Sequence, residues 1–196
     1  MAPGIRIWQA YDDLNRVELF SSALDTEAGT CLVDPIPLTF EGMAALQAPR
    51  KAVGVVVTNL NHPRAAAEFA TAFSRPIYAH RHLREKVDFT EAIYLDDGEV
   101  FSPGLTAVAI DGGPEGELAL HYSPAGGTLV VGDALINFEP HGFRLLPSKY
   151  CQNYKLMRRS LGKLLDYSFE RILFAHGTPI LSGGRERVEQ LLAANR

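Results

Sequence analysis

Three short stretches hold residue types that can do chemistry. They are TNLNHPR (58–64), GDAL (132–135) and AHGTP (175–179). Each follows an apolar run that reads as a strand, so each places polar side chains at a strand end. An aspartate and a histidine in such places are the usual stock of metal ligands and general bases. Taken singly, the signals are weak. An aspartate after glycine commonly accepts hydrogen bonds from turn amides. A histidine before glycine is commonly structural. If the three strand ends share an edge, Asn59, Asn61, His62, Arg64, Asp133 and His176 converge on one cleft.

The elements that would position them follow from pattern. IRIW (5–8), VELFSSAL (17–24) and GTCLVDP (29–35) read as β. Leu38 to Ala48 reads as a helix. Ala52 to Val57 is a continuous apolar run, which suits a strand covered on both faces. In AAAEFATAF, Ala66, Phe69, Ala70 and Phe73 fall at helical spacing. PIYAH then gives another strand, completing a strand–helix–strand unit. Residues 92–133 return to β, punctuated by DDG, SPG, DGGPEG and PAGG as turns. Tyr154 to Leu165 reads as a helix and ILFAHGTPI as a strand into a loop. Ser182 is placed to cap the last helix. No Pro/Gly/Ser linker divides the chain, so residues 1–196 read as a single domain with two facing sheets and helices outside.

Composition bounds the function classes. The 196 residues are 46% hydrophobic and 21% charged, with a net charge of −4. Scattered basic residues and a negative balance argue against a nucleic-acid surface. No apolar run approaches the ~18 residues that cross a bilayer. The opening MAPGIRIW lacks the pattern of a secretory signal. Cys31 and Cys151 form no zinc spacing and read as free thiols. A cytoplasmic location is the resulting expectation.

The order of these motifs resembles the metallo-β-lactamase fold, specifically glyoxalase II-like hydrolases. GTCLVDP is similar to its early NxYLID strand. VVVTNLNHPRAAAEF stands where that family has a strand followed by THxHxDHxGG. GPEGELALHYSPAGGTLVVGDAL is similar to its PGHT-to-GDAL stretch, and ILFAHGTPI to its VLPGHGPPI. The resemblance runs from about residue 17 to 192 and implies an α/β chain folded as an αββα four-layer sandwich. It also implies where metal ligands would stand. The two histidines of the HxH pair fall on Asn59 and Asn61, the aspartate on Pro63, the next histidine on Arg64, and the PGHT histidine on Gly113. Asp133 and His176 alone match the family's ligands. His62 falls on a variable position of the motif.

A catalytic zinc takes about three protein ligands and keeps an open position. Asn is a poor zinc donor, proline has none, and arginine brings a fixed positive charge. The expectation is therefore no dinuclear centre and no required cofactor. The chain then reads as a metal-free descendant that uses Asn59, Asn61, His62 and Arg64 to bind a small anionic ligand or partner. The alternative is a hydrolase of an ester, thioester or related bond. It would use Asp133 and His176 catalytically, with zinc or another divalent metal in a reduced site. A metal set of His62, Asp133 and His176, with His80 or His82 nearby, is the form that site could take. His62 otherwise reads as a half-exposed loop residue. Arg64 is expected opposite Asp133, replacing the metal's charge, or else pointing to solvent. His121 and His141 read as structural or rim residues. Oligomeric state is not legible.

Overall fold

The computed structural model describes residues 2–47, 50–89, 91–139 and 141–195. Strands β1 (Ile5–Asp12) and β2 (Val17–Asp25) form an antiparallel hairpin, and β3 (Thr30–Val33) pairs antiparallel with β2. Helix α1 (Phe40–Gln47) leads to β4 (Ala52–Val57), which runs parallel to β3. Helix α2 (Ala66–Phe73) then crosses back to β5 (Ile77–His80), and β6 (Ala92–Leu95) closes a sheet ordered β1-β2-β3-β4-β5-β6. The expected end of α1 at Ala48 lies outside the described residues.

The second sheet begins as an antiparallel meander of β7 (Val100–Ser102), β8 (Leu105–Ala109), β9 (Leu118–Tyr122) and β10 (Thr128–Val131). A small hairpin of β11 (Leu135–Phe138) and β12 (Gly142–Leu145) follows. Helix α3 (Tyr154–Ser160) precedes β13 (Arg171–Phe174), which adds parallel to β10, and α4 (Gly184–Ala194) ends the fold. The sheet order is β13-β10-β9-β8-β7.

The layers follow from which residues each strand buries. In β4, Val56 points inward, where it joins Leu24, Cys31 and Val33 against Leu105, Leu120, Val130 and Leu173 of the other sheet. Val55 and Val57 point the other way, onto Ala66, Phe69 and Ala70 of α2. Both faces of β4 are thus covered, which is why its sequence does not alternate. The outer face of the second sheet packs Leu129, Val131 and Phe174 against Met157, Leu161 and Val188 of the C-terminal helices. Helix–sheet–sheet–helix is the αββα arrangement expected from the sequence. Among the described residues, no helix is long and apolar enough to cross a membrane.

Two local details differ from expectation. The helix read over 154–165 is α-helical only to Ser160, then tightens to a 3-10 helix over Leu161–Asp166. Gly162 lies in that tightened turn, where a residue without a side chain favours α-helix least. Ser182 does not cap the last helix. The cap is Gly183 at φ +61, a left-handed position that glycine takes without strain.

Phe69 is 1% exposed and sits between Trp8 and Phe73, with ring centroids 6.4 and 5.7 Å away. Phe69→Ala should lower stability by about 3–5 kcal/mol, because α2 cannot close the void it leaves. Chemical denaturation followed by circular dichroism measures it, and a loss below about 1 kcal/mol would contradict this packing.

Candidate functional site

The ends of β3, β4, β10 and β13 meet at one edge of the sandwich, in two parallel pairs of strands, one pair from each sheet. The loop after β4 is shaped by Asn59, which is fully buried. Its Oδ1 accepts from the Asn61 amide at 2.8 Å, and its Nδ2 donates to Glu117 Oε2 at 2.7 Å and Asp133 Oδ2 at 3.2 Å. An asparagine folding its own loop in this way is a common turn device. Here the same side chain also ties the first sheet's loop to two carboxyl groups of the second.

His62 occupies the centre. Only 2% of it is exposed. Its Nδ1 lies 3.0 Å from Asp34 Oδ2 and 2.9 Å from Thr58 Oγ1. Asp34 is fixed in turn, because the Thr58 amide donates to its Oδ1 at 2.8 Å and the Thr58 hydroxyl to its Oδ2 at 2.5 Å. On the other side, His62 Nε2 lies 3.1 Å from Asp133 Oδ1, an ion-pair distance, but has no partner in hydrogen-bond geometry among the described residues. His176 Nε2 reaches the same Asp133 oxygen at 3.4 Å, while its Nδ1 lies 3.1 Å from the Glu18 carbonyl. One donor atom from each of His62, Asp133 and His176 falls within 4.8 Å of the others.

Charge balance follows from these contacts. Burial alone would discharge His62, but Asp133 and Asp34 outweigh it and push its pKa up to about 10. Burial would likewise raise Asp133, but His62 and His176 hold it well below the carboxylate range. Asp34 is also lowered against its burial, by His62 first. Glu117 goes the other way: burial and the nearby Asp133 push it up to about 8. His176 is lowered by burial, against the pull of Asp133. With no cation bound, these shifts favour a charged His62 between Asp34 and Asp133 and a protonated Glu117.

All six residues singled out from the sequence gather at this cleft, but not in the expected roles. Arg64 does not face Asp133. Its Nη1 donates to the carbonyls of Phe20 at 2.8 Å and Asp34 at 3.1 Å, and its Nη2 to that of Ala175 at 3.5 Å. The backbone explains the turn: Arg64 follows Pro63 and sits at φ +40, a left-handed value that residues with a β-carbon rarely adopt. The guanidinium thus runs beneath the loop to the seam between β2 and β13, where the Phe20 amide also bonds the Ala175 carbonyl at 2.9 Å. His62, expected half exposed, is buried and holds the position opposite Asp133 instead.

His80 and His82 meet edge to face with ring centroids 4.5 Å apart and line a separate small pocket. His121 lies against the Ser168 carbonyl at 2.9 Å, and His141 packs near Phe138. Asp34 and Glu117 were not singled out from the sequence. Each was legible as a lone acid at the edge of an apolar run, in CLVDP and GELAL, but nothing in one dimension aimed them at His62 or Asn59.

The comparisons with known proteins agree with this fold. A family profile described as Metallo-beta-lactamase superfamily matches residues 1–195. A search of curated proteins gives no match. Among solved structures, the chain resembles a metallo-beta-lactamase family protein from Thermus thermophilus, with TM-score 0.70 and 18% identity, covering 99% of this chain and 80% of that one. It resembles the DIM-1 metallo-beta-lactamase at TM-score 0.77 and 13% identity, covering 100% and 96%. An archaeal superfamily protein from Sulfolobus tokodaii gives TM-score 0.75 at 14% identity, covering 99% and 86%. At these identities the likeness shows the fold.

Arg64→Ala should destabilise by about 1–3 kcal/mol, since it takes a donor from the Phe20, Asp34 and Ala175 carbonyls, of which Asp34 keeps the Ser21 hydroxyl and Ala175 the Phe20 amide. The double-mutant cycle with Asp133→Asn should give a coupling below about 1 kcal/mol, against the roughly 3–5 kcal/mol loss that breaking a buried ion pair brings. Urea denaturation of the four proteins measures it. A large coupling would restore Arg64 as the partner of Asp133.

Proposed function

Because this chain belongs to the metallo-β-lactamase superfamily, we propose that the cleft holds one divalent cation on His62, Asp133 and His176. On this reading the protein is a hydrolase of an ester, thioester or related bond. The observation that carries it is the His62 ring. Its Nε2 is buried without a hydrogen-bond partner, while its Nδ1 is held by Asp34 and Thr58. A carboxylate behind one imidazole nitrogen fixes the tautomer that leaves the other nitrogen free to bind a metal.

The donor set fits one ion. Two imidazoles and a carboxylate are three ligands of the type zinc takes in catalytic sites, with a fourth position open. The three donor atoms lie within 4.8 Å of one another, close enough to share one ion. The residues do not fit a second ion, because Asn59, Asn61, Pro63, Arg64 and Gly113 stand where further ligands would be. A bound divalent ion would supply Lewis acidity and an acidified water.

The chain's own groups do the rest. Asp34 and Thr58 keep His62 oriented. Asn59 and Asn61 donate to Asp133 Oδ2, which leaves its Oδ1 turned to the two histidines. Asn61 lines the open cleft and can meet a substrate carbonyl. Glu117 keeps a proton directly behind Asn59, away from solvent. The free thiols Cys31 and Cys151 support a reducing, cytoplasmic setting.

A second reading is favoured by the closed charge balance: His62 as a fixed cation between Asp34 and Asp133, in a metal-free ligand-binding protein. Metal analysis separates the two. On the first reading, stripped protein gains thermal stability when zinc, manganese or ferrous iron is added, by about 2.7 kcal/mol at a hundredfold excess over Kd. His62→Ala abolishes the gain, and Asp34→Asn weakens metal affinity by about 10–100-fold. No metal at unit stoichiometry, and no shift with any of the three ions, would leave the metal-free reading standing.

A further inference from the structure

The cleft above the His62–Asp133–His176 cluster has a volume of about 540 Å³, within the range of small-molecule sites. One wall is Val17 and Leu19 from β2, and the other is Ile136 and Phe138 from β11 with Leu146 and Pro147. The polar groups lie at its base and at one rim, where Asp12 and Asn15 sit on the turn between β1 and β2. Among the described residues lining it there is no lysine, and Arg64 is the one arginine. That arginine gives its N–H groups to the Phe20, Asp34 and Ala175 carbonyls. Lys149 is not part of the lining, but lies over the ring of the lining residue Tyr150, 4.6 Å from its centroid.

We infer that the group flanking the reacting bond is an uncharged, compact apolar body rather than a carboxylate or phosphate. The inference rests on the reading that this cleft is the reaction site. It replaces the small anionic ligand expected from the sequence, because the cation that was to receive the anion is committed elsewhere. An anionic flank would lie along aliphatic walls that carry no lysine, near the Asp12 carboxylate and away from the cluster at the base. A carboxylate moved out of water without a partner or donor binds poorly. An aliphatic or aryl flank instead covers Val17, Leu19, Ile136 and Phe138, removing apolar surface on both sides from water.

Two amides with the same central bond test this. N-phenyl-5-methylhexanamide is uncharged, and glutaric acid monoanilide is its near-isosteric carboxylate. Affinities are measured by calorimetry on the protein as purified, with and without chelator. The uncharged amide should bind roughly tenfold tighter or more in both conditions, since the carboxylate must keep its water. Val17→Lys places a cation at the rim of one wall and should tighten the monoanilide by several-fold. Equal or tighter binding of the monoanilide to the wild type, in either condition, overturns the inference. So does a lack of saturable binding by the uncharged amide, or an unchanged monoanilide affinity in Val17→Lys. Both probes share the central amide and are compared without metal, so failure of the metal reading leaves this ranking readable.

Discussion

A carboxylate cannot stand buried and uncompensated, and the site is organised around that constraint at Asp133. The side chain is drawn from the end of a strand in one sheet into a space closed by a loop of the other. Water is largely excluded, so the protein must answer the charge itself or through a bound ion. The answer comes from His62, held between Asp133 and Asp34 with one nitrogen tied and the other free. Everything nearby is consistent with that choice. Asn59 and Asn61 add neutral donors to the oxygen that His62 does not face. Glu117, a third carboxyl in the same space, keeps its proton because a third negative charge would have no partner. Gly132 leaves the room: a β-carbon there would sit 2.7 Å from the Thr58 hydroxyl and 2.9 Å from a Glu117 oxygen.

Arg64 solves a different problem. Carbonyls of β2 and of the segments that follow β3 and β13 converge at the cleft edge, where each can take a further donor. A planar guanidinium with several fixed donors can serve acceptors from more than one segment at once, which an ammonium does less well. Placed under the loop, it joins β2, the end of β3 and the end of β13. The side chain whose charge pointed to Asp133 in the sequence is thus used for its geometry, while the His62 ring takes the place facing Asp133.

The layer architecture was legible because it is written in periodicity. The unbroken Ala52–Val57 run announced a strand covered on both faces, and Phe69 with its helical partners announced the layer outside it. The strand-end loops were legible as well, since Gly, Pro and Asn mark where strands stop. The roles inside the cluster were not. Motif alignment placed His62 between two ligand positions and so left it unassigned, yet a proline after it and a left-handed residue at Arg64 change which side chain reaches inward. Asp34 and Glu117 were hidden for another reason. Their importance lies in whom they meet across the sandwich, and periodicity records only which face a residue is on.

The joining of both sheets at one cluster bears on how the molecule comes together. Asp34, His62 and Arg64 belong to one sheet, Glu117, Asp133 and His176 to the other, and neither trio is electrically balanced alone. A half-formed chain with only one sheet closed would hold only half of the cluster, with Asp133 apart from the His62 that faces it. Assembly of the cleft and closure of the sandwich are therefore a single cooperative step. Amide hydrogens flanking the cleft in β4 and in β10 should accordingly exchange only through opening of the whole molecule, with no intermediate in which the site survives on half a fold.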